Sequence, residues 1–64
     1  MDIAKYYFAD GSTMQREYGK TPNGNQMGGR WVLRDKHGEM ITYNQYRYDI
    51  IDTTMKVVDV EEQS

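Results

Sequence analysis

Cysteine is absent from this 64-residue chain, and proline and histidine each occur once. Without cysteine the fold can contain neither a disulfide bond nor a cysteine-based zinc site. Long apolar runs are also missing, because the longest one, residues 6–9, is far shorter than a membrane span. The first residues lack the basic and apolar regions of a signal peptide. We therefore expect a cytoplasmic protein.

Tyrosine, in contrast, is abundant. The chain has six tyrosines, together with Phe8 and Trp31. Tyrosine combines a large apolar ring with a polar tip, which suits a surface that contacts a partner. The net charge of -2 and the pI of about 5.1 argue against a protein that coats nucleic acid. The composition therefore indicates a small binding domain rather than a pocket built for chemistry.

The length allows one small core. We expect a single domain over residues 1–60, followed by a solvated acidic tail over residues 61–64. A hydrophobic content of 38% leaves little apolar area to bury. A homodimer, or a fold completed on a partner, therefore stays open beside a marginal monomer.

The first hairpin is predicted around Asp10-Gly11, a pair that favours a two-residue turn. The aromatic residues 5–9 before it suit a strand. Residues 12–18 after it are ambiguous, because Ser12 followed three positions later by Gln15 also fits a helix capping box. We favour a strand over a short helix there.

A second hairpin is predicted over residues 30–42, with its turn at residues 35–38. Trp31 and Leu33 fall on one face of the first arm and Val32 on the other. We expect Trp31 to lie in the core, since no other side chain fills as much volume. Between the hairpins, residues 19–29 hold four glycines and the only proline, and they are predicted to form a long loop that is either functional or a mere connector.

After residue 42 the pattern becomes helical. Thr42 and Gln45 again fit a capping box. Apolar and aromatic side chains then follow at spacings of three and four, which predicts a short helix: Tyr43, Tyr46, Arg47, Ile50 and Ile51. Residues 55–60 are rich in β-branched residues and predict a final strand. The predicted fold is α+β, a small mostly antiparallel sheet of two hairpins and a C-terminal strand with one short helix.

Signals of catalysis are nearly absent. The only histidine, His37, falls in a predicted exposed turn without the partners that activate a nucleophile. Asp49 and Asp52 lie one helical turn apart, but a solvated helix face explains them better than a metal site does. No metalloprotease, phosphate-binding or calcium-binding motif occurs. We expect no enzyme activity, no metal and no cofactor.

Two kinds of partner fit the residues that are present. Tyrosine, tryptophan, methionine and arginine are enriched at the centres of protein interfaces, and a protein partner is the favoured prediction. The predicted contact residues are Arg30, Arg34, Tyr43, Tyr46, Arg47 and Tyr48, with the 19–29 loop beside them. The alternative is a sheet that binds single-stranded nucleic acid directly by stacking bases, through Tyr6, Phe8, Trp31, Arg30, Arg34 and Lys36. No membrane partner is expected.

Residues 29–39 and 43–50 together resemble, in style, small accessory proteins of bacteriophages and prophages. The resemblance covers about a third of the chain and includes no diagnostic motif. It implies a host-takeover or anti-defence role, in which a small inhibitor blocks a bacterial nucleic-acid-handling or defence complex by occupying its surface. Anti-CRISPR proteins and inhibitors of host polymerases or nucleases are examples of that class. No site residues follow from it.

Overall fold

Aromatic and β-branched residues form five short strands in this protein. The computed structural model describes residues 2–19, 28–51 and 55–63. The elements are β1 (Ile3–Phe8), β2 (Thr13–Glu17), β3 (Arg30–Arg34), β4 (Met40–Asn44), a 3₁₀ turn (Arg47–Asp49) and β5 (Val57–Glu62). The described residues include no other helical element, and a helix of three residues is too short to cross a membrane.

The strands form one antiparallel sheet with the order β4-β3-β2-β1-β5. The first four strands are neighbours in sequence and in space, whereas β5 returns across the sheet to pair with β1. Strands β4 and β5 are therefore the two edges of the sheet.

The first predicted hairpin is confirmed. Gly11 has a φ of 90°, which a residue without a β-carbon adopts at little cost. The backbone N–H of Phe8 donates to the carbonyl of Ser12 at 3.0 Å, which closes the turn. The Asp10 carboxylate accepts a hydrogen bond from the backbone N–H of Ser12 at 2.8 Å. Residues 13–17 are a strand, so the favoured alternative for this segment is correct.

The second predicted hairpin is confirmed as well. Gly38 has a φ of 86°, and its N–H donates to the carbonyl of Asp35 at 2.9 Å. The Asp35 carboxylate also accepts from the N–H groups of His37 and Glu39, at 2.8 and 3.0 Å. Aspartate at the start of such a turn satisfies backbone donors that would otherwise face water. As predicted, His37 is an exposed turn residue.

The predicted helix after residue 42 is wrong, and the fold is mostly β rather than α+β. Thr42, Tyr43 and Asn44 instead end strand β4, in register with β3. Ladder hydrogen bonds and β-forming side chains outweigh the local helical spacing there. Asn44 then ends the strand by accepting a hydrogen bond from the backbone N–H of Tyr46 at 3.3 Å. Among the residues described after Asn44, only those of the 3₁₀ turn are helical.

The last strand is shifted from its predicted position. It runs from Val57 to Glu62, so the first two residues of the predicted tail pair with β1. Two other sequence predictions lie outside the described residues: most of the 19–29 loop, and the pairing of Asp49 with Asp52, since Asp52 is not described.

One face of the sheet supports the core, as the strand alternation predicts. The buried side chains there are Tyr6, Phe8, Met14, Trp31 and Leu33. Partly buried side chains pack against them from Ile3 and from the chain after the 3₁₀ turn, at Ile50, Ile51 and Met55. Trp31 is only 5% exposed, which confirms it as a core residue. The described residues place no second layer on the opposite face. Val32 is nevertheless buried there, between its register partners Gln15 and Tyr43.

Candidate functional site

Five of the six predicted contact residues lie at one end of the sheet, where β3 begins and β4 ends. Arg30, Tyr43, Tyr46, Arg47 and Tyr48 form what we call the ring–arginine surface. It extends around this end, because Arg30 and Tyr43 share the face of Val32 whereas Arg47 lies over Trp31 on the core face. Two shallow depressions meet there and share Gln45 as a lining residue.

The tyrosines of the ring–arginine surface are open to solvent. The exposed fractions are 49% for Tyr43, 64% for Tyr46 and 73% for Tyr48. On the predicted helix, Tyr43 and Tyr46 would share one apolar stripe with Ile50 and Ile51. Because Tyr43 instead lies on an edge strand and Tyr46 precedes a single turn, both rings remain exposed.

Each arginine of this surface lies over a tyrosine ring. The guanidinium carbon of Arg30 is 4.8 Å from the ring centre of Tyr43, and that of Arg47 is 4.7 Å from the ring centre of Tyr48. Such contacts stabilise exposed sites by about 0.5–1 kcal/mol each. They also hold the guanidinium plane in place, so less side-chain entropy is lost when it binds a carboxylate.

Arg47 links the ring–arginine surface to the core. Its guanidinium lies between the rings of Trp31, at 5.4 Å, and Tyr48. One terminal nitrogen donates to the Tyr48 hydroxyl at 2.8 Å. The Nε atom is buried and has no hydrogen-bond partner among the described residues. A buried unpaired donor is costly, so a small shift of Arg47 that gave Nε an acceptor would be favourable.

Two neighbouring cavities lie beside Trp31, and we call them together the cleft. Their volumes are about 400 Å³ on the side of Tyr48 and about 300 Å³ on the side of Tyr18. Arg16, Trp31 and Arg47 line both cavities. The Arg16 guanidinium lies 5.8 Å from the Tyr18 ring centre. The cleft therefore places a second arginine–tyrosine pair beside the ring–arginine surface.

Gly29 allows this packing. A β-carbon at Gly29 would lie 2.4 Å from Nε of Arg16 and 2.6 Å from the ring of Tyr18. Both side chains would have to move away to accommodate it. A glycine at this position therefore keeps Arg16 and Tyr18 close to the start of β3.

Sequence reasoning missed Arg16 and Tyr18 as site residues, although strand alternation could have found Arg16. Met14 and Arg16 share one face of β2, and in register they oppose Leu33 and Trp31. Arg16 is the last residue of β2 on the core face, so its charged guanidinium has to extend to the rim of the sheet to meet water. Tyr18 lies just past the strand end, where the sequence carries no comparable signal.

Arg34, the sixth predicted contact residue, has an intramolecular role. Its guanidinium donates to both carboxylate oxygens of Glu17 at 2.8 Å and to the carbonyl of Gly38 at 2.9 Å. These hydrogen bonds hold the pKa of Glu17 below its ordinary value and raise that of Arg34. Arg34 thus joins β2, β3 and the second turn.

The free energy of unfolding of the Glu17→Gln variant should fall less at acid pH than that of the wild type. Since Arg34 lowers the folded-state pKa of Glu17 below its ordinary 4.5, the stabilisation is fully present above about pH 4.5 and is lost as the pH falls through the folded-state pKa. The effect should be modest, because the pair is partly exposed. Urea unfolding between about pH 3 and pH 7 measures it. Glu39→Gln, an exposed carboxylate without an ion pair to a described residue, is the matched control, and parallel pH profiles for both variants would contradict the assignment.

The described residues offer no group of three metal-ligating side chains. Comparison of the chain with protein-family models, with curated proteins and with solved structures finds no match.

Proposed function

We propose that this chain is a small non-enzymatic protein-binding module that docks on another protein through the ring–arginine surface. The supporting observation is that Tyr43, Tyr46 and Tyr48 are half to three-quarters exposed beside two arginines that the rings hold in place. Tyrosine and arginine are the residues most often found at interface hot spots. Three exposed rings at one end of the sheet bury little apolar area in the isolated domain, whereas a partner that covered them would bury more.

The partner should present carboxylates to this surface. Arg16, Arg30 and Arg47 lie along the ring–arginine surface and its cleft, and none of them makes an ion pair with a described residue. By contrast, Arg34 is already neutralised by Glu17. Planar guanidinium groups bind carboxylates through two parallel hydrogen bonds, so an acidic patch is the complementary surface.

The class of partner rests on the resemblance to small bacteriophage and prophage proteins. An inhibitor of that kind blocks a bacterial nucleic-acid-handling or defence complex by covering part of its surface. A chain of 64 residues with no catalytic constellation in its sequence is suited to such a role.

Direct binding of single-stranded nucleic acid is the competing function. The positions of the rings disfavour the set of stacking residues that the sequence predicted for it. Tyr6, Phe8 and Trp31 are buried in the core and offer no free face on which a base could stack. Arg34 is held by Glu17. The exposed rings that remain for stacking are those of the ring–arginine surface and Tyr18 beside it, so the two functions would use overlapping surfaces and have to be separated by experiment.

A pull-down from bacterial lysate, with and without nuclease, tests the proposal. We expect a stoichiometric protein partner that stays bound after nuclease treatment and at about 0.5 M salt, because an interface of rings and desolvated arginines depends less on ionic strength than phosphate contacts do. Recovery of nucleic acid alone, released by moderate salt, would refute protein docking and support the competing function.

A further inference from the structure

The two edges of the sheet differ in how they resist pairing with another strand. Natural proteins protect edge strands with charges, prolines or irregular backbone. β5 carries three acidic residues, Asp59, Glu61 and Glu62. The Asp59 carboxylate also accepts a hydrogen bond from the backbone N–H of Val60 at 2.8 Å, and an incoming strand would disturb this contact. The β5 edge is therefore protected.

β4 has no such charges, and the protection it has among the described residues is a single register shift at Ile41. Its five residues, Met40–Asn44, include no charged residue and no proline. Its outer side pairs with no strand among the described residues. Met40, Ile41 and Tyr43 are each about half exposed, so the strand presents apolar side chains together with free backbone groups. An uncharged apolar edge of this kind is a template for strand addition.

We propose that β4 pairs with β4 of a second copy of this chain, in antiparallel orientation about Thr42, to form a closed dimer with one continuous sheet. This register brings Ile41 of each copy, the residue at the β4 register shift, next to Tyr43 of the other, and aromatic–β-branched contacts stabilise antiparallel strands. The strand contains no charge that could meet a like charge. An edge that is its own complement gives a two-fold symmetric pair, which stops at two copies.

Three pairings of edge strands are possible between two copies of the chain, and charge favours β4 with β4 over the two that involve β5. Pairing of β5 with β5 would bring together two sets of three carboxylates. Pairing of β4 with β5 would have to displace Asp59 from the Val60 N–H, and it would not close, so it would build open chains of many copies. Only the pairing of β4 with β4 avoids both costs.

The dimer goes beyond the proposed docking function. It would place one ring–arginine surface at each end of the paired β4 strands, because Tyr43 and Asn44 lie at opposite ends of the two copies. Two docking surfaces held in one particle bind a partner that repeats, or one with two equivalent sites, with increased avidity.

Sedimentation velocity over a range of concentrations tests the dimer. The wild-type chain should shift with concentration from 7.5 kDa toward twice that mass and no further. Ile41→Lys should keep the chain monomeric, because an edge lysine blocks strand addition. Val58→Lys is the matched control: Ile41 and Val58 are both 57% exposed, and both lie at register shifts of edge strands. The Val58 variant should dimerise like the wild type.

A cysteine introduced at the two-fold axis gives an independent test, since the natural chain has none. Thr42→Cys should form a disulfide-linked dimer on mild oxidation, whereas Val58→Cys should not at the same concentration. A wild-type chain that stays monomeric into the millimolar range would overturn the proposal. So would an Ile41→Lys variant that dimerises normally, and so would masses that grow past two copies. None of these outcomes bears on partner docking, which the pull-down measures separately.

Discussion

Replacing Trp31 with alanine is expected to unfold most of the protein. Trp31 is the largest buried side chain, its ring lies edge-on to Tyr6 at 5.9 Å, and Arg47 covers it at 5.4 Å. Removing a buried tryptophan costs about 3–5 kcal/mol. A chain of this length has roughly 3–10 kcal/mol of stability in total, so the loss is comparable to the whole. Urea unfolding followed by circular dichroism measures it.

Tyr48→Ala is the control for this experiment. It also removes a large ring, but one that is 73% exposed, so its free energy of unfolding should stay close to that of the wild type. If Trp31→Ala keeps the wild-type unfolding midpoint and loses only partner binding, Trp31 belongs to the contact surface and the core assignment is wrong.

Among single substitutions, Arg47→Ala is expected to cause the largest loss of partner binding. Its guanidinium is held between Trp31 and Tyr48, and it lies in both the ring–arginine surface and the cleft. Truncating an arginine hot spot costs about 2 kcal/mol or more, a loss of roughly 30-fold in Kd. Titration calorimetry with the captured partner measures the change.

Two further variants separate binding from folding in this series. Arg47→Lys keeps the positive charge but loses the planar group that stacks on the rings, so it should lose most of the affinity with little change in stability. Lys36→Ala removes a positive charge from the exposed second turn, away from the ring–arginine surface, and should bind like the wild type. Equal affinities for Arg47→Lys, Lys36→Ala and the wild type would show that charge alone, and not the held arginine, attracts the partner.

The hairpins could be predicted because their signals are local. Asp10-Gly11 and the 35–38 segment each place a glycine where φ is positive and an aspartate where turn N–H groups need an acceptor. Trp31 was predictable for a related reason, since strand alternation fixes which residues share its face. Sequence alone could therefore predict the four hairpin strands, the last strand with a shift of two residues, and Trp31 as a core residue.

The helix could not be rejected from sequence, because the residues that override it are distant. Thr42 to Asn44 have a helical pattern, but they complete a ladder with Leu33, Val32 and Trp31. Ile50 and Ile51 do reach the core, as the predicted apolar stripe required, but they do so from an irregular segment after one turn.

Composition singled out Arg30 and the 43–48 segment, and the structure places them at the same end of the sheet. The faces on which they lie could not be predicted, because they depend on the register of β3 and β4. The engagement of Arg34 with Glu17 depends on side chains that cross two strands, and no spacing in the sequence encodes it. The cleft with Arg16 likewise depends on how β2 and β3 align.

Nuclear magnetic resonance of the nitrogen-15-labelled chain tests the central claim, that the ring–arginine surface docks on a protein, most directly. The captured partner and a single-stranded oligothymidylate would be added separately at the same moderate salt concentration. We predict that the partner shifts or broadens the amide signals of Arg30 and residues 43–48 and leaves those of β5 unchanged, and that the oligothymidylate changes neither group. Signals at the ring–arginine surface that respond to the oligothymidylate and not to the protein would contradict the claim.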